Sequence, residues 1–146
     1  MKRIVPLLVI LALCLSLSAC NNTGKTNNAE VDYGSSTLYS ETEIKSAIKT
    51  VFTKFRDFDG CDLKKLWYDE DRSNTIIQQD ISSGGWNTIK NSAAEPENII
   101  ILFSDFYVDD SGGDGSFNPD STYTDWNWIL IRDSKNGIWE VVDWGY

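Results

Sequence analysis

Ser40-Glu41-Thr42-Glu43-Ile44-Lys45-Ser46-Ala47-Ile48-Lys49-Thr50-Val51-Phe52-Thr53-Lys54-Phe55 declares itself a helix before any neighbouring segment declares itself anything. Ser40 is a capping residue, and Glu43 three positions on completes a capping box. Tyr39 and Ile44 stand where a hydrophobic staple places its two side chains. Ile44, Ala47, Ile48, Val51, Phe52 and Phe55 recur at steps of three and four, so one face is apolar. Lys45, Lys49, Thr53 and Arg56 lie mostly on the other face, and the helix is expected to stop before Gly60. Such a helix has to bury its stripe against a second layer.

The chain downstream supplies that layer. Asp59-Gly60-Cys61-Asp62 reads as a turn, and Leu63, Leu66 and Trp67 suit a short helix or a first strand. Asp71 or Ser73 is positioned to cap a further helix through Ile76, Ile77 and Ile81, which Ser82-Ser83-Gly84-Gly85 ends. Asn91 to Asn98, with Pro96, reads as loop. Ile99 to Phe103 is a dense apolar run that turns to alternation through Asp109, and Thr122 to Arg132 is a second strand. Asn136-Gly137 then signals a hairpin into a third strand, Ile138 to Trp144. Helices followed by a meander of antiparallel strands give an α+β domain, residues 37–146, long enough for one core.

Four stretches carry a resemblance: Lys65-Leu66-Trp67-Tyr68-Asp69-Glu70, Ser104-Asp105-Phe106, Trp126-Asn127-Trp128-Ile129-Leu130-Ile131-Arg132 and Asp143-Trp144-Gly145-Tyr146. Together they resemble uncharacterised lipoproteins of Gram-positive bacteria in the nuclear transport factor 2-like superfamily, whose domain is a cystatin-like cone. The resemblance implies an N-terminal amphipathic helix packed on a strongly curved antiparallel sheet. It implies little about activity, because that superfamily mixes isomerases, dehydratases and non-catalytic binding domains.

Upstream of the domain, Lys2 and Arg3 precede an apolar run from Ile4 to Leu17, followed by Leu17-Ser18-Ala19-Cys20. A basic start, a short apolar core and small residues before a cut make a secretory signal. The run is too short, and too interrupted by Pro6 and serines, for a membrane span of roughly 18 residues or more. The cut before a cysteine resembles the lipobox of bacterial lipoproteins. That resemblance implies removal of residues 1–19 and a diacylglyceryl group on the Cys20 thiol, so that the chain meets the membrane through lipid, facing outside the cytoplasm. Residues 20–36 are rich in Asn, Thr, Gly and Ser, with Val31 and Tyr33 their large apolar side chains, and read as a flexible tether.

Composition narrows the chemistry. There is no histidine, which excludes Ser-His-Asp and Cys-His catalysis and histidine metal sites. Removing Lys2 and Arg3 from the 13 basic residues leaves 11 against 22 acids, a net of −11, which disfavours nucleic acid as a partner. Cys14 leaves with the leader and Cys20 carries lipid, so Cys61 has no disulfide partner and reads as a small buried residue. No cofactor is expected.

Three constellations remain. Asp105, Tyr107, Tyr123 and Asp125 are the residue types with which isomerases on this cone work, an acid base and a tyrosine donor tuned by burial. Alternation puts Asp105, Tyr107 and Asp109 on one side of the first strand, and Tyr123, Asp125 and Asn127 on one side of the second. The same pattern describes the wet face of any antiparallel sheet. Asp110 and Asp114 sit in a Gly-rich acidic loop that matches three places of a calcium-binding loop, yet Ser121 stands where a bidentate Glu belongs, so a solvated, mobile loop is the simpler reading. Trp126 and Trp128 share a strand face and either stack on sugars or pack under the helix, and large aromatics in a small domain usually supply core. The expected protein is a lipid-anchored domain that binds a small ligand or an envelope protein. A carboxylate-tyrosine enzyme of isomerase or hydrolase type, or a sugar- or calcium-binding accessory domain, is the alternative.

Overall fold

The computed structural model describes residues 22–83 and 95–146. The leader, Cys20, Asn21, Gly84, Gly85 and the loop residues 91–94 of the sequence reading lie outside the described residues. The domain is α+β, with a five-stranded open sheet in the order β1 (Glu30–Asp32), β2 (Cys61–Tyr68), β3 (Ile99–Val108), β4 (Ser121–Ile131) and β5 (Glu140–Gly145). Helix α1 (Glu41–Phe55) joins β1 to β2, and α2 (Glu70–Ser83) follows β2. No helix among the described residues is long and apolar enough to cross a membrane.

Helix α1 forms as its sequence dictates. The Ser40 hydroxyl accepts from the Glu43 N–H, and the Glu43 carboxylate accepts from the Ser40 N–H at 2.8 Å. Ile44, Ala47, Ile48, Val51 and Phe55 are buried along one stripe. They meet Leu63, Leu66, Ile100, Leu102, Phe106, Trp128, Leu130 and Trp139 in the larger core. On the opposite face of the sheet, Ile77 of α2 packs with Ile99, Ile101, Phe103 and Ile129. The unbroken apolar run at the start of β3 is thereby explained: both faces of that strand end are covered by helix.

Four expectations are corrected. The segment read as a tether is part of the domain from Asn22 on. β1 pairs parallel with Lys65–Trp67 of β2, which makes the sheet mixed and not purely antiparallel. Lys25 brackets the start of β2, its N–H donating to the Cys61 carbonyl at 2.9 Å and its carbonyl accepting from the Leu63 N–H at 2.9 Å. Gly24 lies so close to Phe55 that a Cβ there falls 2.0 Å from the Phe55 carbonyl oxygen. Counting apolar side chains missed this because backbone pairing on the open edge of β2 holds the segment.

The second correction is the cap of α2. Asp69, ahead of Asp71 and Ser73, caps it, its carboxylate accepting from the Arg72 N–H at 3.0 Å. Ser73 lies inside the helix, where its buried hydroxyl accepts from the Ile101 N–H of β3 at 3.1 Å. Third, the hairpin signalled by Asn136-Gly137 does form, β4 pairing antiparallel with β5, but its connection runs on past Gly137. The Gly137 N–H closes a turn on the Ser134 carbonyl at 2.8 Å, and the third strand begins at Glu140 instead of Ile138. Fourth, Pro96–Asn98 is a turn of 3-10 helix, not loop.

Arg132 locks the helix start to the end of β4. Its guanidinium is buried, pairs with Glu43 at 2.8 Å, donates to Asn98 Oδ1 at 3.1 Å and the Glu97 carbonyl at 2.8 Å, and lies 4.4 Å from the Trp139 ring. Burial pushes the Glu43 carboxyl up, but the Ser40 N–H and hydroxyl and the Arg132 guanidinium outweigh it and hold it at about 2.

Candidate functional site

Two bulges decide where the polar side chains of the sheet point. β2 carries one extra residue between Leu63 and Lys65, and β4 carries one between Tyr123 and Trp126, both opposite Asp105. Asp125 takes up the β4 bulge at φ 58, a left-handed conformation that Asp tolerates better than most residues. A one-residue slip changes the face of everything beyond it. Tyr123 is therefore on the α1 side with Trp126 and Trp128, whereas Asp125 and Asn127 are on the α2 side. The sequence-level set of Tyr123, Asp125 and Asn127 on one face is broken.

The four candidate catalytic residues consequently do not converge. Asp105 Oδ1 accepts from the Asp125 N–H at 2.9 Å, and the Asp125 carboxylate pairs with Arg72 of α2 at 2.5 Å. That guanidinium also lies 4.1 Å from the centre of the Phe103 ring. The Tyr107 hydroxyl donates to Asp120 at 2.9 Å, a bond that raises its pKa. Tyr123 stacks on Phe106 at 5.2 Å on the other face, its hydroxyl accepting from the Asn118 N–H at 3.1 Å.

The space between α1 and the sheet is filled. Trp128 is fully buried, its indole N–H donating to the Ser104 hydroxyl at 2.8 Å, and its ring lies 6.2 Å from Phe55 and 5.1 Å from Phe58. Cys61 is buried as well. Burial, and then Asp109, Asp59 and Asp114, push its thiol up to about 12, which leaves it unreactive at neutral pH.

The β3–β4 connection is ordered by its own side chains. Asp109 and Asp114 each accept from the hydroxyl and N–H of the serine two residues on, Ser111 and Ser116, and these bonds lower both carboxyls. Phe117 turns inward and meets Phe58 at 5.5 Å, Phe106 at 5.6 Å and Tyr123 at 5.3 Å. The mobile-loop reading missed this anchor, although Phe117 is the one large apolar residue of the loop. Asp110 is exposed and Asp114 is engaged by Ser116, and among the described residues no three His, Cys, Asp or Glu side chains gather as a metal site.

At this end of the molecule the aromatic core reaches the surface. Trp144 is 41 % exposed and Tyr146 69 % exposed, the latter 5.2 Å from Trp126. A cleft of about 170 Å³ opens beside Trp144, lined by Lys54, Asp57, Phe58, Asp59, Asp114, Ser116 and Phe117. The exposed Trp144 ring and the carboxylates of Asp57, Asp59 and Asp114 share this opening. The packing favoured for Trp126 and Trp128 holds for Trp128, which is core, and the exposed tryptophan among the described residues is Trp144. Compared with known proteins, the chain matches no family model, no curated protein and no solved structure.

Proposed function

We propose that this chain is a membrane-anchored extracytoplasmic lipoprotein whose single domain holds a small ligand or an envelope protein without catalysing a reaction. The anchor rests on Leu17-Ser18-Ala19-Cys20, with cleavage before Cys20 and lipid on its thiol. The fold is read as a cone of the nuclear transport factor 2-like kind; the bulges that flank Asp105 favour bending of β2 and β4.

One observation carries the binding reading. A cone enzyme keeps its acid and its tyrosine in an apolar pocket under the helix. Here that space holds Phe55, Phe106 and Trp128, all fully buried, while Asp105 and Asp125 lie on the far face, bonded to a backbone N–H and to Arg72. A catalytic carboxylate kept in a pocket against its desolvation cost is relieved by substitution with Asn, and the fold gains stability. Urea denaturation of Asp105→Asn should therefore move stability by no more than about 0.5 kcal/mol, and of Asp125→Asn by no more than about 1 kcal/mol. Stabilisation by more than about 1 kcal/mol in either variant would favour the enzyme. For the anchor, Cys20→Ala should abolish labelling by fatty acid and release the protein from membranes; a variant still labelled and sedimenting with membranes contradicts it.

A further inference from the structure

The cleft beside Trp144 has a size, a charge and an aromatic wall that together specify a guest. Its volume, about 170 Å³, is below the roughly 300 Å³ at which pockets for drug-sized molecules begin, so it takes one side-chain-sized group. Phe58 and Phe117, 5.5 Å apart, form its apolar wall, and Trp144 lies 6.0 Å from Phe58 with part of its ring open to water. Three carboxylates, Asp57, Asp59 and Asp114, face one ammonium, Lys54. That ammonium is already paired with Asp57 at 3.0 Å, which leaves two carboxylates in excess. Asp114 is held ionised by the Ser116 hydroxyl and N–H.

The chain itself shows what the Trp144 ring accepts. Lys54 Nζ stands 4.6 Å from its centre, within the range where an ammonium is attracted by the ring quadrupole. We propose that the cleft binds the side chain of a lysine on a partner peptide, its alkyl stem along Phe58 and Phe117 and its ammonium between Asp59, Asp114 and Trp144. This rests on the binding reading above and names the chemistry of the bound group. A net charge of −9 over the chain adds a long-range attraction for a basic partner, one that salt weakens. Lys54 is the internal competitor for the same ring.

Amide and indole NMR of the full chain in uncharged detergent micelles tests the assignment. The probes are Nα-acetyl-lysine methylamide, the matching norleucine derivative, n-butylammonium and N-acetylglucosamine. The lysine derivative should shift the Trp144 indole and Ser116 amide resonances saturably, at least about tenfold more tightly than norleucine, a ratio equal to about 1.4 kcal/mol. It should bind at least as tightly as n-butylammonium, which carries the same four-carbon stem and ammonium but no peptide backbone. Asp114→Asn should weaken the lysine derivative several-fold, Lys54→Met should strengthen it, and high salt should weaken it. Both substitutions are at solvent-accessible positions and leave the buried core intact. Equal binding of norleucine, no saturable shift, tighter binding of n-butylammonium, or saturation by N-acetylglucosamine alone each overturns the lysine assignment. The last of these leaves a binding domain standing, whereas stabilisation by Asp105→Asn or Asp125→Asn removes the reading beneath it.

Discussion

Trp128 shows how much one side chain can settle. Its indole is fully buried, bonded to Ser104, and touched by Phe55, Phe58 and Trp144. Trp128→Ala should cost about 3–5 kcal/mol in urea denaturation, the range for emptying a large aromatic from a core that cannot collapse. Trp128→Phe keeps most of the volume but leaves the buried Ser104 hydroxyl without its donor, for about 1–3 kcal/mol. A harmless Trp128→Ala would mean that the ring is not core at all. The sequence favoured packing over sugar stacking for this residue from its size alone, since period-two spacing names a face and not what covers it. Asp125 was less legible still. Nothing in Thr124-Asp125-Trp126 marks a bulge, and an Asp at φ 58 reads the same as an Asp in a strand. That single unseen conformation moved Tyr123 to the face opposite Asp125 and Asn127.

At the scale of elements, the strongest local signals were read correctly, and a strand that depends on a partner distant in sequence was not. The cap and stripe of α1 are local, and so is the apolar run of β3. β1 is three residues long and exists because the open edge of β2 has backbone groups to satisfy. Its junction with α1 is held by Glu70, at the start of α2, whose carboxylate accepts from the Thr37 N–H at 2.9 Å, the Thr37 hydroxyl at 2.7 Å and the Ser36 hydroxyl. Burial raises this carboxyl, yet the bonds from Ser36, Thr37 and Leu38 prevail and hold it at about 2. Glu43, bonded to Ser40 and Arg132, is held at about 2 for the same kind of reason. Both folded values lie below the ordinary 4.5, so the stability they contribute is complete above pH 4.5 and disappears as pH falls toward 2. Thermal melts should show wild type losing its advantage over Glu70→Gln across that window, the two converging near pH 2. A constant gap between them from pH 6 to pH 2 would assign the loss to shape and not to charge.

For the whole molecule, the decisive question is where the folding unit begins. A domain starting at Thr37 lacks β1, the Lys25 contacts with the start of β2, and the partly buried Ala29, Val31 and Tyr33 that pack on the main core. It also uncovers the edge of β2, an eight-residue strand with Leu63, Leu66 and Tyr68 in the core. An exposed edge of that length is a template for pairing with another chain. Full burial of a Val-sized side chain is worth about 1.5–3 kcal/mol. Partial burial of Ala29, Val31 and Tyr33 plus the lost pairing therefore amounts to on the order of 3 kcal/mol, against a total of about 5–15 kcal/mol for a typical domain. Fragment 37–146 should accordingly melt well below fragment 22–146, unfold at lower urea with a smaller dependence on denaturant, and self-associate at concentrations where the longer fragment stays monomeric. Equal urea midpoints and equal sedimentation for the two fragments would return residues 22–36 to the role of a tether.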